Sequence, residues 1–163
     1  MTERWVLNAS PLIVLARVGQ EHLFHILTDE LAIPRAVAVE IEAGPANDPA
    51  RQAIAGGYFA IVEAIPVPEV LAWDLGAGET AVLSYALRKP EWTVILDDAA
   101  ARRCARSFGL RLKGTLAVVI LAKQQGLIPS AADVLRSVLN IGFRLDENVV
   151  REALSRTVGE KWE

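Results

Sequence analysis

Two adjacent carboxylates, Asp97 and Asp98, directly follow an apolar run at residues 93–96, and a helix-forming run comes after them. This pattern is typical of a buried parallel strand that ends in acids, with a helix leaving behind it. The carboxyl ends of such strands form the ligand-binding edge of an open α/β sheet. The two acids could equally cap the new helix, because its free N–H groups favour anions. For this stretch alone, both interpretations stay open.

Three more polar side chains lie on elements that can border the same edge of the sheet. Asn8 comes directly after a short apolar strand predicted at residues 5–7. Glu40 borders the apolar face of a predicted helix, where a solvated acid is the alternative interpretation. Glu79 lies in the first turn of a helix that opens with Gly-Ala-Gly, where the helix dipole favours an acid in any case. Because strand ends and helix ends border one edge of such a sheet, we expect these side chains to converge with Asp97.

Three acids and one amide at a shared site would be unfavourable without a counter-ion. A hard divalent cation prefers carboxylate and water oxygens and needs neither Cys nor His as a ligand. Such a cation suits phosphoryl chemistry, because it makes hydroxide available near neutral pH and stabilises the transition state. The pattern therefore indicates a metal site at the carboxyl edge of the sheet.

The composition limits the class of protein. The chain has 163 residues, of which 52% are hydrophobic and 6% aromatic, and its net charge is −3. We expect one domain over residues 1–163, long enough for a sizeable core. A single cysteine, Cys104, and two histidines exclude an internal disulfide and a metal cluster built on Cys or His. Since the sequence has neither a signal-peptide region nor a membrane-spanning apolar run, we expect a cytoplasmic protein without membrane association.

Strands and helices alternate along the chain, which favours an α/β fold with a parallel sheet covered on both faces. Ser10 and Thr115 are predicted to cap two of the helices that follow strands. Ser130 and Asp146 are predicted to cap the last two helices. Residues 59–65 are predicted as an edge strand, because prolines end the run.

Five segments carry a series of motifs in order, at residues 6–13, 33–40, 75–81, 96–105 and 109–116. The series resembles the PIN domain, as found in VapC-type toxin ribonucleases. It is more closely similar to a bacterial and archaeal PIN-like subfamily with Asn-x-Ser-Pro-Leu-Ile at the first strand. Each motif is weak alone, but together they cover most of the chain.

The resemblance implies a three-layer α/β/α sandwich with a mainly parallel central sheet of about five strands. It also implies a metal-dependent ribonuclease whose acids are Glu40, Glu79 and Asp97, with Asp98 adjacent. PIN nucleases usually carry Asp where this chain has Asn8. An amide oxygen can coordinate magnesium but brings no charge, so we expect weaker metal binding.

We therefore expect an endoribonuclease dependent on Mg²⁺ or Mn²⁺, the toxin of a toxin–antitoxin pair. The expected metal ligands are Asn8, Glu40, Glu79, Asp97 and Asp98, of which Glu40, Glu79 and Asp97 are the expected catalytic residues. The candidate contacts to nucleic acid are Ser10, Arg102, Arg103, Arg106, Lys113 and Thr115. A solvated helix face is the alternative for the arginines.

A second hypothesis is a catalytically weak or inactive PIN-like module that binds RNA or a protein partner, which the neutral Asn8 favours. A receiver- or flavodoxin-like binding domain ranks last, because it requires a lysine after a final strand and only Lys113 is available. The expected partners are an RNA substrate, a small antitoxin protein and a second copy of the chain as a homodimer. Trp73, Trp92 and Trp162 either form an apolar partner surface or pack in the core.

Overall fold

A computed structural model describes residues 2–163 as five strands and ten helices. The strands are β1 (Arg4–Leu7), β2 (Glu30–Pro34), β3 (Ile61–Val62), β4 (Thr93–Ile95) and β5 (Arg111–Lys113). The helices are α1 (Ala9–Arg17), α2 (Leu23–Leu27), α3 (Arg35–Glu42), α4 (Pro49–Ala55), α5 (Pro68–Leu71), α6 (Ala77–Arg88), α7 (Ala99–Ser107), α8 (Thr115–Gln124), α9 (Ala131–Asn140) and α10 (Glu147–Thr157).

All five strands pair in parallel, in the order β3-β2-β1-β4-β5. The central strand is β1, in which Val6 lies opposite Ala32 of β2 and opposite Val94 of β4. The chain crosses from one side of β1 to the other between β3 and β4, and such a reversal creates the crevice where open α/β sheets bind ligands. The predicted α/β sandwich with a mainly parallel sheet of about five strands is confirmed.

The two strands that lead to the candidate site are buried on both faces. Val6 and Leu7 of β1 and Val94 and Ile95 of β4 are fully buried. A strand covered on both sides needs apolar residues at nearly every position, which is why neither strand alternates. Helix α6 packs against α3 and also contacts both central strands. This packing holds two acid-bearing helices next to the sheet.

Two helices differ from their predicted starts. Helix α1 begins at Ala9 with Asn8 as its N-cap, so Ser10 lies in the first turn and not at the cap. Helix α8 begins at Thr115 itself, with Gly114 as its N-cap. In both places one residue separates strand from helix, so the chain turns directly from one element into the next. The predicted caps at Ser10 and Thr115 are therefore wrong.

The predicted edge strand at residues 59–65 shortens to β3, which does lie at an edge of the sheet. Only Ile61 and Val62 pair with β2, and the partner of Val62 is Pro34. Because Pro34 has no N–H to donate, the ladder ends there. The short helix α5 follows, with Pro68 in its first turn, a position that proline favours. The sequence patterns did not predict this helix.

Two of the three candidate surface tryptophans are buried. Trp92 and Trp162 are 7% and 5% exposed, so the core interpretation holds for both. Trp73 is 38% exposed and stays available at the surface. None of the described helices is both long and apolar enough to cross a membrane.

Candidate functional site

The carboxyl ends of β1 and β4 open into a small cavity of about 350 Å³. Leu7 pairs with Ile95, and the next residue, Asn8, donates its backbone N–H to the carbonyl oxygen of Ile95 at 3.1 Å. This register brings the Asn8 side chain next to the segment that carries Asp97. The cavity is lined by Asn8, Ser10, Glu79, Asp97, Asp98, Phe143 and Arg144.

The side-chain oxygen of Asn8 is buried and has no hydrogen-bond partner among the described residues. A buried polar atom left unpaired typically costs about 1–3 kcal/mol, so its presence needs an explanation. A Cβ atom at Gly78 would lie 3.3 Å from Asn8 Oδ1 and 3.8 Å from Glu40 Oε2. Both acceptor oxygens thus border the small space at Gly78. This donor set fits a hard cation, which would supply the missing partner.

Glu40 and Glu79 interact electrostatically because α3 packs against α6. Partial burial raises the pKa of Glu40, and the nearby negative charge of Glu79 raises it further. The Glu40 residue as a whole is exposed and does not line the cavity. A Cβ atom at Gly76 would lie 2.7 Å from Oε2 of Glu79. The Glu79 carboxylate therefore folds over the N-terminus of its own helix, where an anion is favourable.

Asp97 is held by Thr115, the first residue of α8. The Thr115 backbone N–H donates to Oδ1 of Asp97 at 2.8 Å, and the Thr115 hydroxyl donates to Oδ2 at 2.5 Å. Burial raises the pKa of Asp97, while the two Thr115 hydrogen bonds and the positive charge of Arg102 oppose this rise. A Cβ atom at Gly114 would lie 2.9 Å from Asp97 Oδ1, so only glycine leaves room for the carboxylate here.

The expected convergence of the three acids into one closed cluster is not seen. Among residues 2–163, no three Asp, Glu, His or Cys side chains form a group that could hold a metal ion. The carboxylate of Asp97 is turned toward Thr115, while an oxygen of Glu79 lies over Gly76. Asn8, Glu79 and Asp97 line the cavity, whereas Glu40 does not line it and shares only the space at Gly78 with Asn8.

Asp98 has the capping position that the sequence offered as an alternative. Its Oδ2 accepts a hydrogen bond from the backbone N–H of Ala101 at 2.9 Å, and Asp98 is the N-cap of α7. The residue is also exposed and lines the cavity, so its second oxygen remains accessible. Asp97 is half-buried and is oriented by two hydrogen bonds, which makes it the better-fixed of the two acids.

The candidate nucleic-acid contacts have different surroundings. Ser10 lines the cavity. Arg102 donates through Nη1 to the carbonyl oxygen of Leu96 at 2.9 Å, so this guanidinium already has a structural partner. Thr115 is fully buried and uses both of its donors on Asp97, so it orients that acid and is not open to a nucleic acid.

The remaining candidate cations lie away from the cavity wall. Arg103 and Arg106 are exposed on α7, and Lys113 is half-buried at the end of β5. Within residues 2–163, none of these three lines the cavity that contains Asn8. They are available only to a nucleic acid that extends beyond that cavity.

Sequence reasoning missed two residues of the cavity, Phe143 and Arg144, which lie in the loop between α9 and α10. Nothing in the sequence places residues 142–145 at the edge of the sheet. The available signal was the pair of Phe143 and Arg144, an aromatic residue followed by an arginine. This pair lies far from the acids in the sequence, so the sequence does not indicate that they meet in the fold. Gly114 was also missed, because its requirement appears only when Asp97 is in place.

A protein-family model described as PIN domain matches residues 4–159. The match covers nearly the whole chain and confirms the PIN-like part of the resemblance. PIN domains have a nuclease fold and are generally nucleases that depend on a divalent metal. The VapC type and the subfamily with Asn at the first strand stay predictions. No curated protein matches the chain.

Proposed function

The chain belongs to the PIN domain family, and from that premise we propose that it is an endoribonuclease dependent on Mg²⁺ or Mn²⁺, the toxin of a toxin–antitoxin pair. The observation that carries this proposal is the buried, unpartnered Oδ1 of Asn8 in a cavity shared with Glu79 and Asp97. A cation at this position would give the orphaned oxygen a partner and would offset the charge of the carboxylates.

We propose Asn8, Glu40, Glu79 and Asp97 as the metal ligands, and the three acids would have to draw together from their present positions when the cation binds. When bound, the cation would supply a hydroxide near neutral pH and stabilise the charge that develops on the phosphate. Asn8 contributes a neutral oxygen, and the acids contribute the negative charge. Asp98 caps α7 and is the alternative to Asp97 as a ligand. Burial and the charge of Glu79 raise the pKa of Glu40, and a bound cation would favour its carboxylate form.

The protein groups around the acids have positioning roles. Thr115 fixes both oxygens of Asp97, so that the carboxylate does not need to be ordered when the metal binds. Gly78 lets α6 approach closely enough for Asn8 Oδ1 and Glu40 Oε2 to border one space. Ser10, at the cavity wall, is a candidate donor to a phosphate oxygen, and Arg103, Arg106 and Lys113 are candidate contacts to more distant phosphates.

The test is cleavage of a labelled RNA by the wild-type protein and by Asp97→Asn, with Mg²⁺, with Mn²⁺ and with EDTA. We expect metal-dependent cleavage by the wild-type protein, and a loss of at least 100-fold in Asp97→Asn, since that variant removes a metal ligand. The matched control is Asp133→Asn, because Asp133 is an exposed acid on α9 outside the cavity. Cleavage that is equal in the two variants would contradict the assignment.

A catalytically weak or inactive PIN-like module is the second candidate, because Asn8 brings one charge fewer than the Asp usual in PIN nucleases. Such a module would bind RNA or a protein partner without metal-dependent cleavage. Calorimetric titration with Mn²⁺ separates the two, since the module would show no metal binding that depends on Asp97. Co-expression with the neighbouring gene, followed by size-exclusion chromatography, tests the proposed antitoxin and homodimer.

A further inference from the structure

The loop between α9 and α10 forms a wall between two cavities. Phe143 and Arg144 line the small cavity that contains Asn8, and both also line a larger groove of about 490 Å³. Asp97 lines both spaces as well. The groove therefore adjoins the candidate metal site, and an extended ligand can cross the shared wall from one space to the other.

Arg144 has no internal partner. Its side chain is exposed, and within residues 2–163 it makes no hydrogen bond and no ion pair with a carboxylate at 4 Å or less. It nevertheless lines the same cavity as Glu79, Asp97 and Asp98. A planar guanidinium that is not used by the protein suits a phosphate, which it can bind through two parallel hydrogen bonds.

The groove beside Arg144 has the opposite character. Its wall is mainly aliphatic, and Phe143 is half-buried where the groove meets the small cavity. The aliphatic side chains come from α8, from α10 and from the loop before α10, and they include Leu116, Ile120, Leu145 and Val149. A nucleobase has an apolar face that stacks on aromatic side chains with little dependence on sequence.

On the basis of the proposed nuclease function, we propose that Phe143 and Arg144 are the substrate-binding pair of this site. Arg144 binds a backbone phosphate of the RNA beside the acids, and the groove receives the base of the adjoining nucleotide against Phe143. The charge of Arg144 at the junction favours a nucleotide over an apolar peptide segment, which would leave the guanidinium without a partner. A base inside the groove cannot be paired, so the RNA must be single-stranded at that nucleotide.

The test measures binding separately from cleavage. A short fluorescent single-stranded RNA is titrated by anisotropy in Ca²⁺, at several salt concentrations, with the wild-type protein and with Arg144→Ala, Arg144→Lys, Phe143→Ala and Phe143→Leu. Phe143→Leu keeps apolar volume in the half-buried position, and circular dichroism checks the fold of every variant. The matched control is Arg156→Ala, because Arg156 is exposed on α10 and pairs with Glu152 away from both cavities.

We expect Arg144→Ala to weaken binding roughly tenfold and to reduce the salt slope by about one, with partial recovery in Arg144→Lys. We expect both Phe143 variants to bind roughly tenfold more weakly. A set of RNAs, each with one base removed at a different position, identifies the nucleotide that contacts Phe143. Removing the base at that nucleotide should weaken RNA binding by the wild-type protein but should not weaken binding by Phe143→Leu any further.

This inference is overturned if the wild-type protein binds RNA, the RNA affinity of Arg144→Ala equals that of Arg156→Ala, and the RNA affinity of Phe143→Leu equals that of the wild type. The groove would then be a candidate binding site for a protein segment. The nuclease proposal would then be unaffected. If the wild-type protein neither binds nor cleaves RNA, both proposals fail together.

Discussion

Thr115 fixes both oxygens of Asp97, one through its backbone N–H at 2.8 Å and the other through its hydroxyl at 2.5 Å. The pair joins the first residue of α8 to the segment after β4, because β5 lies next to β4 with Lys113 opposite Ile95. Thr115 is fully buried, and a low local dielectric strengthens such hydrogen bonds. The carboxylate is therefore oriented before any ligand arrives.

Replacing Thr115 with Val should remove the hydroxyl donor and keep the backbone donor. Because the lost hydrogen bond opposes the effect of burial, the pKa of Asp97 should rise further, and the acid limb of the pH–rate profile should move to higher pH. Thr115→Ser, which keeps the hydroxyl, should restore the wild-type profile. NMR titration of Asp97 checks the direction, and an unchanged pKa in Thr115→Val would contradict the role of this residue.

Asp97→Asn should abolish cleavage and yet leave the metal-free protein at least as stable at neutral pH. Burial raises the pKa of Asp97 above its value in the unfolded chain. The contribution of Asp97 to stability is therefore fully present below the unfolded pKa and is lost as the pH rises through the folded pKa. Removing the buried charge should increase the free energy of unfolding by about 0.5–1 kcal/mol. Urea denaturation in EDTA, with Asp133→Asn as the control, measures the difference.

Asn8→Asp should strengthen metal binding, because a carboxylate holds a hard cation more strongly than an amide does. Cleavage in Mg²⁺ or Mn²⁺ should rise with it, and Asp97→Asn should abolish the activity in either background. Without metal, the added charge beside Glu40 should lower stability and raise the pKa of Glu40 further. Calorimetry with Mn²⁺ and thermal unfolding in EDTA test the two effects. An Asn8→Asp variant that neither binds metal nor cleaves RNA would leave only the binding module.

Gly78→Ala should reduce both stability and activity. The new Cβ atom would lie 3.3 Å from Asn8 Oδ1 and 3.4 Å from Val37 Cγ2, and both of these residues are buried. We expect a net loss of about 1 kcal/mol in the free energy of unfolding, since overpacking outweighs the better helix propensity of alanine. The matched variant is Gly76→Ala, where the new Cβ atom meets only the flexible carboxylate of Glu79. Equal stability in the two variants would contradict the close packing of α6.

Glu160→Gln should destabilise the protein in a way that depends on pH. Burial would raise the pKa of Glu160, but hydrogen bonds from the N–H groups of Ala132 and Ala131 and from Ser130, together with Lys123, outweigh burial and lower it. A lowered pKa gives stability that is present above the unfolded pKa and is lost as the pH falls through the folded pKa. Unfolding curves should show a loss of about 1 kcal/mol at pH 7 that shrinks toward low pH.

The sequence predicts those parts of the fold that depend on local patterns. The apolar runs before Asn8 and Asp97 identify the two central strands, because strands buried on both faces carry continuous apolar residues. Ser130 and Asp146 cap their helices as predicted, since a cap depends only on the next few residues. The wrong cap at Ser10 is an error of two positions, as expected where the chain turns directly from strand to helix.

The contacts within the candidate site were not predictable in the same way. The Thr115–Asp97 pair depends on β5 lying beside β4, and the position of Arg144 depends on the packing of the last two helices. Neither contact leaves a periodic signal in the sequence. The side-chain conformation that brings the Glu79 carboxylate over Gly76 is likewise not determined by the spacing of residues in the sequence.

The central position of β1 has a consequence for the synthesis of this protein. The strand is translated well before its partner β4, since Val6 pairs with Val94. Asn8 cannot meet Asp97 before that pairing forms, and Thr115 and Arg144 are translated later still. The candidate site therefore cannot assemble during translation before residue 144 has left the ribosome.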